Sequence, residues 1–249
     1  MSTYVLIPGA GGTAWYWHLV EPLLRDAGHE AIAVDLPGDD PAAGLPEYTR
    51  LVIDAIGGRD DVVLVAQSLG GFTAPLVAAK VPVRSLVFVN AMIPVPGETP
   101  GAWWDNTGWL EARTAAAERG GYGTEFDLAV YFLHDVPPEV AEAGAAYQRP
   151  EADVVFGSVC DFAAWPPVPV RAVAGADDRF FPAEFQRGLA ARARWKAAGK
   201  NRSSAPATAR IGTGGHAAKS QTEPNTASAS GRWWAAPAAA TSGGTSWRK

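Results

Sequence analysis

The sequence predicts an α/β protein with a mostly parallel sheet and helices on both faces. Short apolar runs bounded by turn residues recur through the first 191 residues, at 4–7, 31–34, 62–65, 86–89 and 170–174. Their near-continuous Val, Ile and Leu content suits strands buried on both faces, as parallel strands are. Between them, stretches such as 17–27, 48–56 and 70–79 have the length and apolar spacing of crossover helices.

In chain order, 4–7 opens the sheet and leads into a glycine-rich loop, Pro8-Gly9-Ala10-Gly11-Gly12. The second run ends in the turn Asp35-Leu36-Pro37-Gly38, where Asp35 is expected to be structural. The third leads into Ala66-Gln67-Ser68-Leu69-Gly70-Gly71. After the fourth, the rhythm breaks: about 91–165 is long and aromatic, with Trp103, Trp104, Trp109, Phe126, Tyr131 and Phe132. An insertion of that length between two core strands predicts a helical cap. The fifth run ends in Gly175-Ala176-Asp177-Asp178.

At 249 residues, the chain suits one α/β domain. Its 47% hydrophobic and 19% charged content is that of an ordinary globular protein, and no apolar run approaches the roughly 20 residues of a membrane span. The chain enters a strand almost at once with no basic or apolar leader, so a cytoplasmic location is expected. The single cysteine, Cys160, excludes an internal disulfide and is expected to be a buried core thiol. No metal site is expected, since no cluster of His or Cys at ligand spacing accompanies it.

The chain changes character near residue 192. Residues 1–191 hold 11 Lys and Arg against 25 Asp and Glu, a net −14, whereas 192–249 hold 10 against 1, a net +9. The last 58 residues lack Leu, Val, Phe and Met, and Ile211 is their one branched aliphatic residue. Ordering such a segment costs about 1 to 2 kcal/mol per residue in backbone entropy, with little apolar surface to offset it, so a low-complexity, atypical or disordered tail is expected. A shifted reading frame in the coding DNA is the second reading of the same composition. The cations are scattered rather than clustered, so nucleic acid is not an expected partner.

Ser68 falls where a strand turns into a helix among small residues, which is where a serine nucleophile sits. A tight turn lifts the hydroxyl off the sheet edge and points the following amide at a developing oxyanion. The alternative role for Ser68 is helix capping. The amide of Ala10, in the loop after the first strand, is the natural partner of the Leu69 amide in an oxyanion hole. Gly175-Ala176-Asp177-Asp178 places a carboxylate at the end of another strand, suited to orient a histidine. All three features gather at the carboxyl edge of the sheet, where open α/β sheets bind ligands.

These residues, in this order, resemble the α/β-hydrolase superfamily, and within it the compact esterase and hydroxynitrile-lyase branch that includes plant methyl esterases. The resemblance covers residues 4–191. It rests on the stretch 5–12 with Trp15 and Trp17, on 34–38, on the Ser68 turn, and on 175–182 with Glu184-Phe185-Gln186. It departs from the family's pattern at Ala66, which stands for the first glycine of Gly-x-Ser-x-Gly, and at Pro8, which stands for a histidine. By resemblance, Ser68 is the nucleophile, Asp177 the acid with Asp178 as its alternative, and Ala10 and Leu69 the oxyanion donors.

Members of the family end in a strand, a Gly-Gly-His motif and an amphipathic helix. Here Gly214-Gly215-His216 is present, but with no apolar strand before it and no amphipathic helix after it. His216 is the triad base implied by resemblance; it lies 39 residues after Asp177, where the family spacing points near Ala205. His18, His29 and His134 carry no triad signature. The domain reading is thus a hydrolase core at 1–191 with its cap, and a basic tail at 192–249 in place of the last strand and helix.

The implied activity is cleavage of small, largely apolar carboxylic esters through an acyl-enzyme, with no metal or organic cofactor. Two alternatives share the site: hydroxynitrile-lyase cleavage of a carbon–carbon bond, and an impaired homologue that only binds small molecules. The expected partner is a small-molecule ester; nucleic acid and membrane are not. Loss of the last strand and helix would bare a sheet edge, which favours a homodimer.

Overall fold

The computed structural model describes residues 1–192 and the backbone of residues 209–211. Six strands, β1 (Thr3–Ile7), β2 (Glu30–Ala33), β3 (Val62–Ser68), β4 (Ser85–Ala91), β5 (Val170–Gly175) and β6 (Ala209–Ile211), form one sheet in the order β2-β1-β3-β4-β5-β6. Every neighbouring pair is parallel. The five apolar runs read from the sequence are the first five strands, with ends moved by up to three residues, the most at the end of β3.

Alternate side chains of these strands enter two separate cores. Val5, Ile7, Leu64, Ala66, Leu86 and Phe88 join the larger one, with residues of α2 (Leu45–Ile56), α3 (Thr73–Ala78) and the cap. Leu6, Val63 and Val65 join the smaller one, with Trp17 and with Val20 of α1 (Val20–Asp26). Burial on both faces explains why the strands read as unbroken apolar runs rather than alternating ones. The helix α2 shows the matching pattern: Leu45, Tyr48, Thr49, Val52 and Ile56 are buried on one stripe, and Arg50 pairs with Glu47 and Asp54 on the other.

The cap consists of α4 (Pro100–Thr107), α5 (Trp109–Gly120), α6 (Leu128–Tyr131), α7 (Pro138–Ala145) and α8 (Asp153–Gly157). Its aromatic residues pack on the loop after β5 and on α9 (Ala183–Arg192). Trp103 meets Phe181 at 5.7 Å between centroids, and Trp109 meets Phe180 at 4.9 Å. Cys160 is fully buried as expected, its thiol directed at the Phe72 carbonyl at 3.2 Å, and burial pushes its pKa up.

One expectation needs correction. The sequence reading allowed no strand before Gly214-Gly215-His216, yet Ala209–Ile211 forms β6, with Gly175 in register with Ile211. Strand pairing draws on backbone N–H and C=O groups, and the unpaired edge of β5 offers a row of them whatever the partner's side chains. The β5 edge is therefore not bare along this stretch. Most of the tail, where disorder or a shifted reading frame is expected, lies outside the described residues.

Candidate active site

The direction of chain winding reverses between β1 and β3, because β2 is added on one side of β1 while β3 to β6 follow on the other. The crevice beyond the carboxyl ends of such a pair is where open α/β sheets accept ligands. Ser68 closes β3 there, with φ 48° and ψ −125°. A non-glycine residue at such dihedrals carries strain of about 1 to 3 kcal/mol, and it persists only where the surroundings over-determine it. Here they do. Met92 N–H donates to the Ser68 carbonyl at 2.9 Å, and a β-carbon on Gly71 would overlap the Met92 carbonyl. The strand β3 thus turns sharply at Ser68 into the short 3-10 helix at Leu69–Phe72, as the sequence predicts. Ala66 is fully buried in β3, so its methyl group is accommodated.

The loop after β1 lies directly against this serine. A β-carbon on Gly9 would stand 2.8 Å from Ser68 Cβ and 3.3 Å from its Oγ, so glycine is required for the approach. Gly9 N–H donates to Gln67 Oε1 at 3.1 Å, Gly12 N–H to the Gly9 carbonyl at 3.1 Å, and Gly11 N–H to Glu151 Oε2 at 2.6 Å. Among the described residues, the Ala10 amide is the one in this turn that no hydrogen bond occupies. The Leu69 amide opens a helix, where the first N–H groups have no intrahelical acceptor. Neither the Ala10 amide nor the Leu69 amide is thus spent within its own turn.

At the end of β5, the donors converge on Asp178. Phe180 N–H and Phe181 N–H reach its Oδ1 at 2.8 and 2.7 Å, and Asn90 Nδ2 donates to its Oδ2. Burial pushes the Asp178 carboxyl up to about 7, against the opposing pull of these donors. Asp177 is exposed. Asn90 has φ 41° and is the extra residue where the register of β3 and β4 shifts, with Gln67 opposite Val89 but Ser68 opposite Ala91. Such a bulge re-aims a side chain, and this one is aimed at the turn after β5.

Of the three histidines among the described residues, two are engaged away from Ser68 and Asp178. His18 stacks on Trp15 at 4.1 Å with Nδ1 2.7 Å from the Trp15 carbonyl, and His29 packs edge-on to Tyr4. His134, in the cap, lies 3.9 Å from Asp135 and faces Asp177; burial, the largest influence, lowers its pKa. His216 lies outside the described residues. Asp35 is structural, as expected: it accepts Ala14 N–H at 2.9 Å and pairs with Arg149 at 2.9 Å. Among the described residues, no group of three or more His, Cys, Asp and Glu is placed to hold a metal ion.

The profile of the alpha/beta hydrolase family matches residues 4–218. The chain belongs to that family. This alpha/beta hydrolase is 32% identical over 161 residues to Methylesterase 9 of Arabidopsis thaliana, across 60% of each chain. It is 34% identical over 109 residues to an Alpha-hydroxynitrile lyase of the same plant, across 39% of this chain and 42% of that one. The matches thus span between about two-fifths and three-fifths of these curated relatives. The solved structure of polyneuridine aldehyde esterase shares the fold, with a TM-score of 0.63 at 20% identity over 79% of this hydrolase and 88% of that chain.

The sequence reading missed Gln67, Asn90 and Glu151. The first two had a signal: each is a polar residue at the buried end of an apolar strand run, next to a turn. Glu151 had none, since it stands 140 residues from its Gly11 partner.

Proposed function

We propose that this hydrolase cleaves small carboxylic esters with Ser68 as nucleophile and the Ala10 and Leu69 amides as oxyanion donors. The observation that carries the reading is the strained Ser68 turn, with Gly9 packed against its hydroxyl. The base takes the Ser68 proton as Oγ attacks the ester carbonyl. It then gives that proton to the departing alkoxide, and water releases the acid from the acyl-enzyme by the same relay. One oxyanion donor is worth on the order of 3 to 4 kcal/mol as negative charge develops.

For the acid, the hydrogen bonding favours Asp178 over Asp177, the first choice from sequence. Three donors fix the Asp178 carboxylate at the end of β5. For the base, His216 is the proposal: it stands in the Gly-Gly-His motif that supplies the base by resemblance, and it follows β6 by five residues in sequence. The aromatic cap suits a small, largely apolar acyl or aryl group.

Ser68→Ala is expected to lower hydrolysis of p-nitrophenyl butyrate by at least a thousandfold and to abolish labelling by a fluorophosphonate. Unchanged turnover would reject this nucleophile. The likeness to a hydroxynitrile lyase supports a second reading, carbon–carbon cleavage on the same residues. Cyanide release from mandelonitrile without ester cleavage would select it. Folded wild-type protein that resists the fluorophosphonate would instead mark a binding-only homologue.

A further inference from the structure

The segment that ends the cap's long loop, Arg149-Pro150-Glu151-Ala152, runs alongside the loop after β1. Its backbone is tied down by Ala152 N–H donating to the Gly38 carbonyl at 2.7 Å. The Arg149 guanidinium is committed to Asp35 through two hydrogen bonds, at 2.9 and 3.1 Å. Glu151 turns inward and is only 7% exposed. Its two oxygens have separate partners: Oε2 accepts Gly11 N–H and Oε1 accepts the Tyr48 hydroxyl from α2, both at 2.6 Å. A buried carboxyl group is costly unless its lone pairs are used, and here both oxygens are.

The consequence falls on Ala10. Gln67, next to the nucleophile, holds the amide on one side of it, and Glu151 holds the amide on the other. We propose that Glu151 is a positioning residue for ester cleavage: it fixes the Gly9–Gly12 loop so that the Ala10 amide faces the reacting carbonyl. The inference rests on the reading of Ala10 as an oxyanion donor. Space could be filled by an apolar side chain, but only an acceptor at this point can hold the Gly11 amide. A donor displaced by about 1 Å costs on the order of a hundredfold in rate.

Three variants test this on p-nitrophenyl butyrate. Glu151→Ala is expected to lower kcat by about 30- to 300-fold with KM within about threefold, since the lost interaction belongs to the transition state. Glu151→Gln keeps an acceptor for Gly11 N–H and should hold kcat within about fivefold of wild type. Tyr48→Phe leaves the Gly11 bond in place and should cost less than tenfold. Wild-type kcat in Glu151→Ala, equal losses in the Ala and Gln variants, or a loss carried by KM would overturn the proposal.

A readout free of turnover runs beside these. The groups facing Glu151 are Tyr48, Tyr16, Arg149 and the Gly11 amide, with Asp35 bound to Arg149 and Asp39 near Tyr48. The Gly11 amide resonance in a 15N-labelled sample should shift with pH around 7 in wild type and stay flat in Glu151→Gln. A wild-type Gly11 resonance with no such shift counts against the proposal even if Glu151→Ala fails to fold. If turnover survives Ser68→Ala, the reading of the site has failed instead, and this resonance still reports whether Glu151 holds the loop.

Discussion

Asn90 grips both ends of the turn after β5: its Oδ1 accepts Gly175 N–H at 2.7 Å, and its Nδ2 donates to Asp178 Oδ2. The side chain is 1% exposed and springs from a backbone with φ 41°, at the one register shift recorded between β3 and β4. The strand β4, whose Ala91 lies opposite Ser68, thereby also orders the Asp178 carboxyl. A donor to the charged form of a carboxyl lowers its pKa. Asn90→Ala is therefore expected to raise the pKa of Asp178, move the acidic limb of the kcat/KM profile to higher pH, and lower the plateau about tenfold. A pH profile identical to wild type would deny Asn90 this role.

The two adjacent aspartates separate cleanly in an assay. Asp178→Asn should lower kcat by about three to four orders of magnitude, as loss of the orienting acid does in a serine triad. Asp177→Asn should stay within about threefold of wild type. The opposite order would return the role to Asp177. His216→Ala belongs in the same series and should match the loss in Asp178→Asn, whereas His18→Ala should not.

Glu151 gives a stability prediction with a definite sign. Burial raises its carboxyl from 4.5 to about 7 in the folded protein, ahead of the opposing Tyr48 and Gly11 hydrogen bonds. The unfolded chain ionises near the ordinary value, so the contribution of Glu151 to stability is complete below about 4.5 and is lost as pH rises through about 7. Glu151→Gln removes this loss. The Tm difference between Glu151→Gln and wild type should grow in favour of the variant from pH 5 to pH 8.5, by on the order of 2 to 3 kcal/mol in stability. A difference independent of pH would show that the carboxyl does not titrate in the fold.

The sharp turn at Ser68 and the first five strands were legible because each leaves a local pattern. A strand buried on both faces must be apolar throughout, and a serine on a sharp turn must sit among small residues; both constraints act over six or seven positions. The choice between Asp177 and Asp178 was not legible. It turns on which of two neighbouring carboxylates meets the Phe180 and Phe181 amides, a matter of loop dihedrals rather than residue type. Glu151 was hidden for another reason: it reaches Gly11 across 140 positions, and nothing near it in sequence marks the encounter. The strand β6 escaped notice because backbone pairing needs no apolar signature.

The cap is moored at several points, two of them beside the candidate site. At one, Glu151 and Arg149 tie it to the loop after β1 and to Asp35; at the other, Trp109 Nε1 donates to the Phe180 carbonyl at 2.8 Å, beside the turn of Asp178. A cover fastened to both walls cannot swing open like a hinged door without disturbing the machinery beneath it. Nor is the stretch between the moorings slack, since Phe132 packs on Phe180 at 4.7 Å and Tyr147 stacks on Trp15 at 5.1 Å. Changes at Trp109, Arg149 or Glu151 would alter turnover and selectivity together.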